Sequence, residues 1–199
     1  MLVLVRHGEA TSNAAGLLLG RTDVPLTERG VGQAAAVAAS IDPVAVVRSS
    51  PLRRAVDTAE AFGLPVEVDD RWVEVDYGEL EGRPLAEVPG EVWRRWRDDP
   101  SFRPERGESM AEVGERVREA CEELFAAPGV GARRTDGAVV VVSHVSPIKA
   151  AVAWALGCGQ GVAWRLYLST GSATCIDWSP AGFPVLQSFN ERFDVQPRA

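Results

Sequence analysis

The sequence is poor in the residues that hold metals or covalent cross-links. It has only three cysteines and two histidines among 199 residues. Cys121, Cys158 and Cys175 are widely spaced and odd in number, and none has the CxxC spacing of a metal or redox site. The sequence therefore predicts buried, reduced thiols in a reducing compartment rather than a disulfide framework.

Long hydrophobic runs and excess positive charge are also missing. No stretch of about 18 apolar residues occurs, so no membrane-spanning helix is expected, and the first residues lack the basic and apolar regions of a signal peptide. The net charge is −7, which argues against nucleic acid or an anionic membrane as the main partner. Lys149 is the single lysine. We therefore expect a cytoplasmic protein that binds neither nucleic acid nor a membrane.

What the sequence contains is an alternation of β-rich runs and helical segments. Strands are predicted at residues 2–5, 44–47, 66–68, 138–142, 165–168, 173–178 and 184–189. Helices are predicted after Thr27, after Ser50 as a helix cap with Pro51 at the first helical position, over 109–127 and after His144. This order favours an α/β fold, a three-layer sandwich with a mostly parallel central sheet flanked by helices. Residues 1–199 are expected to form a single domain, with a connecting loop at 129–137 and a frayed tail.

Residues 78–107 differ from their surroundings in composition. Tryptophan, glycine, proline and charged residues are mixed there, as in EVWRRWRDDP, which predicts loops with one or two short helices. We expect this segment to form a cap or lid that sets the choice of substrate. Trp93 and Trp96 could line an apolar wall of a substrate site or could belong to the core, and the sequence leaves both readings open. The arginines at 94, 95 and 97 could contact substrate or form a solvated helix face.

Three apolar runs end in polar or basic residues at a turn into a helix. They are VLVRHGE, VVRSSPLRRA and VVVVSHVSP, and two of them carry the only histidines, His7 and His144. Ligands of open α/β sheets bind beyond the carboxyl ends of the strands. We therefore expect both histidines, Arg6 and Arg54 to meet in one cleft. Taken singly, each could be structural; Arg6, for example, could simply pair with Glu9.

Such a set of side chains suits a phosphoryl group. Guanidinium groups match phosphate oxygens in shape and charge, and a neutral imidazole can attack phosphorus to form a covalent intermediate. Nearby arginines lower the pKa of a histidine and keep it neutral. A zinc site is the main chemical alternative, but no HxH or HxxxH pair is present and arginines repel a cation. No metal and no cofactor are therefore expected.

Several segments, in a fixed order, resemble the motifs of a known family. They are VRHGEATSN, GRTDVPLTERG, SSPLRRAVDTA, VEVDYGELEG, RGESMAEV and VVVVSHVSPIKA, and they extend from residue 4 to about residue 155. This ordered set is similar to that of the histidine phosphatase superfamily, also called the phosphoglycerate mutase-like family. The Ser-Pro-Ile-Lys found shortly after His144 resembles the branch of acid phosphatases and α-ribazole phosphatase-like proteins.

The resemblance implies catalytic roles for five residues. His7 matches the nucleophile that becomes phosphorylated. Arg6 and Arg54 match the arginines that clamp the phosphoryl oxygens, and His144 matches the second histidine, which donates a hydrogen bond to the phosphoryl group. Glu74 matches the carboxyl group that protonates the leaving oxygen.

The resemblance also implies three substrate-binding positions. Asn13 and Gly20 match first-loop residues that line the phosphate pocket, and Tyr77 matches a substrate-side position. Within the acidic stretch WVEVDYGELE, composition alone leaves Glu74, Asp76, Glu79 and Glu81 as candidates for the general acid, and only the register of the motif selects Glu74. Asp76 therefore stays open as a second candidate. Gly8 is expected to allow a tight turn after His7.

The function implied is a metal-independent phosphomonoester hydrolase that acts on a small phosphorylated metabolite through a phosphohistidine intermediate. Two alternatives stay open: a cofactor-dependent phosphoglycerate mutase and a non-catalytic binder of a phosphorylated ligand. The segment from Tyr77 to Gly107 is shorter than the basic insert that the mutases carry, which argues against the first. All five catalytic groups are present, which argues against the second. The sequence identifies neither the substrate nor the oligomeric state, and a homodimer is one option.

Overall fold

A computed structural model describes residues 1–126 and 137–193 of the chain. Its strands are β1 (Leu2–Arg6), β2 (Val44–Ser49), β3 (Val66–Val68), β4 (Ala138–Ser143), β5 (Ala173–Trp178) and β6 (Pro184–Glu191). They form one sheet in the order β3-β2-β4-β1-β5-β6. The pairs from β3 to β1 are parallel, and β5 and β6 extend the sheet with antiparallel pairs.

Helices cover both faces of the sheet. They are α1 (Thr11–Ala14), α2 (Glu28–Ala39), α3 (Arg53–Glu60), α4 (Gly90–Asp98), α5 (Met110–Ala126) and α6 (Val145–Ala155). Side chains alternate between the faces of a strand, so Leu2 and Leu4 join a core with α5 and α6, while Val3 and Val5 join a second core with α2 and α3. The predicted α/β class, with a mostly parallel sheet between helical layers, is confirmed.

The carboxyl ends of the central strands meet at one edge of the sheet. Arg6 pairs with Ser143, and Ser49 pairs with Val142, so β1, β2 and β4 end side by side. Each strand then leads into a loop and a helix. This register brings His7, Ser50 and His144 to neighbouring positions, as expected from the three similar segments in the sequence.

Most predicted elements lie where the sequence placed them, but two local predictions are wrong. Residues 165–168 form no strand: a 3₁₀ helix spans Gln160–Arg165, and the Leu168 carbonyl then accepts a hydrogen bond from Arg6 Nη1. Ser50 does not cap α3, because that helix begins at Arg53 after Leu52. The predicted loop 129–137, apart from Gly137, and the end of the tail lie outside the described residues.

The segment 78–107 is joined to the body of the protein by the apolar core. It contains 3₁₀ turns at Gly78–Leu80 and Leu85–Glu87, and then α4. Trp96 is only 2% exposed and belongs to the same core as α5 and α6, and Trp93 stacks on it with ring centroids 6.0 Å apart. Trp96 is therefore a core residue. The three α4 arginines form an exposed helix face.

The structure tests the sequence predictions for Gly8, for the three cysteines and for a membrane-spanning helix. Gly8 does not adopt a left-handed turn; instead, a Cβ at this position would overlap the Gly30 carbonyl group, so α2 requires glycine for close approach. Cys121 is buried and Cys175 half-buried, but Cys158 is exposed just beyond α6, so the expectation of buried thiols is wrong there. In the described ranges, no helix is long and apolar enough to cross a membrane.

Candidate active site

His7 lies at the end of β1 and is only 3% exposed. Its Nδ1 is 2.6 Å from the Gly8 carbonyl oxygen, which can only accept, so Nδ1 carries the proton. Arg54 Nε donates to the other ring nitrogen, Nε2, at 3.3 Å. Burial, followed by the charges of Arg54 and Arg6, lowers the pKa of His7 well below its usual value. The site therefore holds a neutral imidazole with its lone pair on Nε2.

Arg54 is fully buried beside His7 and also holds the loop that follows α1. Its Nη1 donates to the Thr22 carbonyl oxygen at 2.8 Å, and its Nη2 donates to the Gly20 carbonyl oxygen at 2.6 Å. Gly20, predicted from the sequence to line the pocket, thus contributes its backbone to positioning the arginine. A guanidinium group has five N–H bonds, so Arg54 can still donate to a ligand.

Glu81 holds the same loop from the other side. Its carboxylate accepts hydrogen bonds from the backbone N–H groups of Gly20, Arg21 and Thr22 at 2.8, 3.3 and 3.0 Å. The sequence reasoning treated Glu81 only as one of several acidic residues near Glu74. Its role was indicated by the closing Glu-Gly of the motif VEVDYGELEG, but no local pattern shows which distant loop a carboxylate contacts.

Arg6 is the second arginine whose charge acts on His7. Its Nη1 donates to the Leu168 carbonyl oxygen at 2.6 Å, whereas its buried Nε has no hydrogen-bond partner among the described residues. Burial lowers the pKa of Arg6, and the Glu74 carboxylate opposes this effect. Arg6 does not pair with Glu9, which instead forms an ion pair with Arg29. An N–H group of Arg6 is thus available to an anion.

His144 completes the cluster from the end of β4. Its ring centroid is 5.0 Å from that of His7, and its Nε2 lies 2.7 Å from Ser50 Oγ. Its Nδ1 is buried and has no partner in the described part of the chain. Burial, followed by Arg54 and His7, lowers the pKa of His144 well below its usual value. Ser50, proposed from the sequence as a helix cap, contacts this histidine instead.

Glu74, rather than Asp76, joins this cluster. Glu74 is 3% exposed, and its carboxylate accepts hydrogen bonds from the N–H groups of Val75, Val145 and Ser146 at 2.8 to 3.1 Å. The last two belong to the first turn of α6. Asp76 accepts from the Gly78 N–H and pairs with Arg21, so its carboxylate is engaged by its own loop and by the loop that follows α1.

The two remaining predicted residues, Tyr77 and Asn13, make hydrogen bonds to residues next to the cluster. The Tyr77 side chain hydrogen-bonds Ser146, and burial, followed by the charge of Glu74, raises the pKa of this phenol. Asn13 Oδ1 accepts a hydrogen bond from the Ala10 N–H at 3.1 Å, which stabilises the loop after His7. A direct contact of Asn13 with phosphate stays a prediction.

Known proteins share this sequence pattern and fold. The sequence pattern of the family described as "histidine phosphatase superfamily (branch 1)" matches residues 2–192. A bifunctional protein of Mycobacterium tuberculosis is 39% identical over 96% of this chain, and the match spans 53% of that relative, so the chain corresponds to about half of it. Among solved structures, a mycobacterial glucosyl-3-phosphoglycerate phosphatase complexed with VO3 has a TM-score of 0.85 and 31% identity, covering 96% of this chain and 98% of that one.

An α-ribazole phosphatase of Shigella flexneri is also similar, with a TM-score of 0.80 and 27% identity over 96% of both chains. The family match covers nearly the whole sequence. The chain therefore belongs to the histidine phosphatase superfamily, branch 1, and the family predicted from the sequence motifs is confirmed. The neighbours also include the α-ribazole phosphatase type that the segment after His144 resembles.

The buried neutral histidines should make stability depend on pH. Their folded pKa values lie below the unfolded value of about 6.5, so the unfolded chain binds more protons below that pH. We expect the free energy of unfolding to fall by up to about 1.4 kcal/mol per pH unit for each histidine as the pH drops below 6.5. Urea denaturation at several pH values gives the free energy of unfolding of the untagged His144→Asn variant. Below pH 6.5 this free energy should fall less steeply with decreasing pH than that of the parent protein, by up to about 1.4 kcal/mol per pH unit. The same pH dependence in both proteins would contradict a neutral His144.

Proposed function

We propose that this chain hydrolyses phosphomonoesters of small metabolites through a phosphohistidine formed at His7. The observation that carries the proposal is the state of His7: a buried, neutral imidazole whose Nε2 lone pair accepts a hydrogen bond from Arg54 Nε. That lone pair is released for attack when the Arg54 N–H turns to a phosphoryl oxygen. A nucleophilic imidazole must be neutral, and burial next to two arginines favours that form. The fold relatives support the same chemistry, since one was solved with VO3 bound.

The phosphoryl group would bind among the cationic and polar groups that have unpaired N–H bonds. Arg6 Nε and His144 Nδ1 are both buried without partners in the described residues. Ser50 Oγ accepts the Leu52 N–H, which leaves its own hydroxyl proton for donation to His144 Nε2. Nδ1 of His144 would then carry a proton and donate it in a hydrogen bond to a phosphoryl oxygen.

The first chemical step transfers the phosphoryl group to the enzyme. His7 Nε2 attacks phosphorus, a P–N bond forms and the ester P–O bond breaks. The leaving oxygen takes the proton of the Glu74 carboxyl group, and Arg6 and Arg54 stabilise charge on the equatorial oxygens. Glu74 is held for this role by the N–H groups at the start of α6, close to both arginines.

The second step restores the enzyme. A water molecule attacks the phosphorus of phospho-His7 and transfers a proton to the Glu74 carboxylate, while the P–N bond breaks toward His7. Inorganic phosphate leaves, and His7 is again neutral with its lone pair on Nε2. Two successive displacements through a covalent intermediate predict ping-pong kinetics.

The mutase alternative is less well supported. The cap segment is short, and its tryptophans face the core rather than a substrate cleft. Hydrolysis of a monoester does not require the longer basic insert that the mutases carry in this segment. A non-catalytic binder is also disfavoured, because the described cluster retains an aligned nucleophile, two arginines and a carboxylate.

The covalent intermediate provides the direct test of this function. When the protein is mixed with a ³²P-labelled monoester and quenched in alkali, an acid-labile label on a peptide containing His7 is expected. His7→Ala should abolish labelling and lower kcat by at least about a thousandfold, because the variant has no other nucleophile. Near-UV circular dichroism identical to the parent protein shows that packing is intact. Retention of more than about a few per cent of activity would refute the assignment of His7.

The choice between the two acidic residues can be tested with a matched pair of variants. Glu74→Gln should lower kcat by about 100- to 10,000-fold, since an amide cannot supply the proton to the leaving oxygen. The effect should be smaller for esters such as p-nitrophenyl phosphate, whose leaving group needs no proton. Asp76→Asn, which changes a neighbouring carboxylate in the same way, should stay within about tenfold of the parent. The reverse order would assign the role to Asp76.

A further inference from the structure

The peptide group between Gly8 and Glu9 is hydrogen-bonded at both of its ends. Its carbonyl oxygen accepts from His7 Nδ1 at 2.6 Å, and its N–H group donates to Gln33 Oε1 at 2.8 Å. A backbone N–H group can only donate, so the Gln33 atom that faces it is the carbonyl oxygen. A continuous chain of hydrogen bonds therefore runs from the imidazole ring through this peptide to the Gln33 side chain on α2.

The helix α2 is shaped for this contact. Gly30 and Gln33 lie three residues apart and so share one side of the helix. A Cβ at Gly30 would overlap the Glu9 carbonyl group, so the glycine lets the loop after His7 lie directly on α2 and within reach of Gln33. Gly171 packs on Gln33 from the other chain segment, because a Cβ there would lie 2.7 Å from Gln33 Cβ. Gln33 is only 9% exposed, and its side chain is held by the surrounding backbone.

The proposed reaction changes the charge at the first group of this chain. When the P–N bond forms at Nε2 of His7, Nδ1 keeps its proton and the ring becomes positively charged. The Gly8 carbonyl oxygen stabilises that charge through the Nδ1–H bond, which becomes stronger once its donor is charged. Hydrogen bonds in a chain polarise one another, so donation of the Glu9 N–H to Gln33 makes the Gly8 carbonyl group a better acceptor. The chain therefore stabilises the transition state more than the resting enzyme.

We propose that Gln33 is a positioning residue, which acts on His7 through the Gly8–Glu9 peptide and promotes formation of the phosphohistidine. This inference rests on the proposed phosphatase function. Gln33 contacts neither the phosphoryl group nor the arginines that bind it in the proposed reaction. Binding of phosphate should therefore not depend on Gln33, whereas the rate of phosphoryl transfer to His7 should.

The Nδ1 proton of His7 reports on the chain in the resting protein. Because the sequence has only two histidines, its NMR signal is the imidazole N–H signal that persists in His144→Asn and is lost in His7→Ala. Gln33→Met has a similar length but no acceptor, so it should weaken the hydrogen bond and move the signal upfield. Gln33→Glu provides a stronger acceptor and should move the signal downfield. A signal that does not move in Gln33→Met overturns the inference.

Rapid-quench kinetics with p-nitrophenyl phosphate tests the catalytic part. Gln33→Met should slow the formation of phospho-His7 by about 3- to 10-fold, the contribution of one hydrogen bond. It should not slow the hydrolysis of phospho-His7, and the dissociation constant of inorganic phosphate should stay unchanged. Gln33→Glu should keep the parent rate. First-order rate constants do not depend on how much of a variant is folded.

The control variant is Val37→Ala, which removes packing from the same face of α2, one turn after Gln33, and leaves the hydrogen-bonded chain intact. Its rate constants should equal those of the parent. Equal slowing of both chemical steps in Gln33→Met, or the same slowing in Val37→Ala, would mean that Gln33 only supports packing and would overturn the inference. If the NMR signal moves as expected but no monoester is hydrolysed, the phosphatase function fails and the link from Gln33 to His7 stands.

Discussion

The hydrogen bond from Arg54 to His7 is the interaction on which the rest of the site depends. It joins α3 to the end of β1 and leaves the His7 lone pair aligned at Nε2. The same guanidinium holds the Gly20 and Thr22 carbonyl groups, and Glu81 holds the N–H groups of that loop. A permanently charged group buried beside an imidazole also keeps the imidazole neutral. Arg54 thus positions His7 and helps to keep it neutral, while the Gly8 carbonyl group fixes its tautomer and burial contributes most to its lowered pKa.

The fold makes this arrangement possible because three parallel strands end together. Their buried apolar runs fix the backbone, and the loops beyond them carry His7, Ser50 and His144. The close approach of Gly8 to Gly30 brings α2 against the loop after His7, and Gly8 also donates its N–H to Thr58 on α3. Side chains on short loops between rigid elements are held precisely, which prepares the site for an anionic ligand.

Sequence reasoning was most successful where the signal was local or belonged to a motif. Apolar runs located the central strands, and the motifs selected histidines, arginines and a glutamate that lie together in the structure, while their catalytic roles stay predictions. It failed where a role depends on contacts distant in sequence. Ser50 resembles a helix cap, yet it contacts His144, and residues 165–168 are apolar enough for a strand, yet Arg6 binds the Leu168 carbonyl.

The central claim is that phosphoryl transfer proceeds in two displacements, with His7 as the first nucleophile. The stereochemical course at phosphorus tests it most directly. Hydrolysis of a chiral thiophosphate monoester in isotopically labelled water should release inorganic thiophosphate with overall retention of configuration, because each in-line displacement inverts phosphorus once. Overall inversion would show a single direct attack by water and would contradict a covalent role for His7.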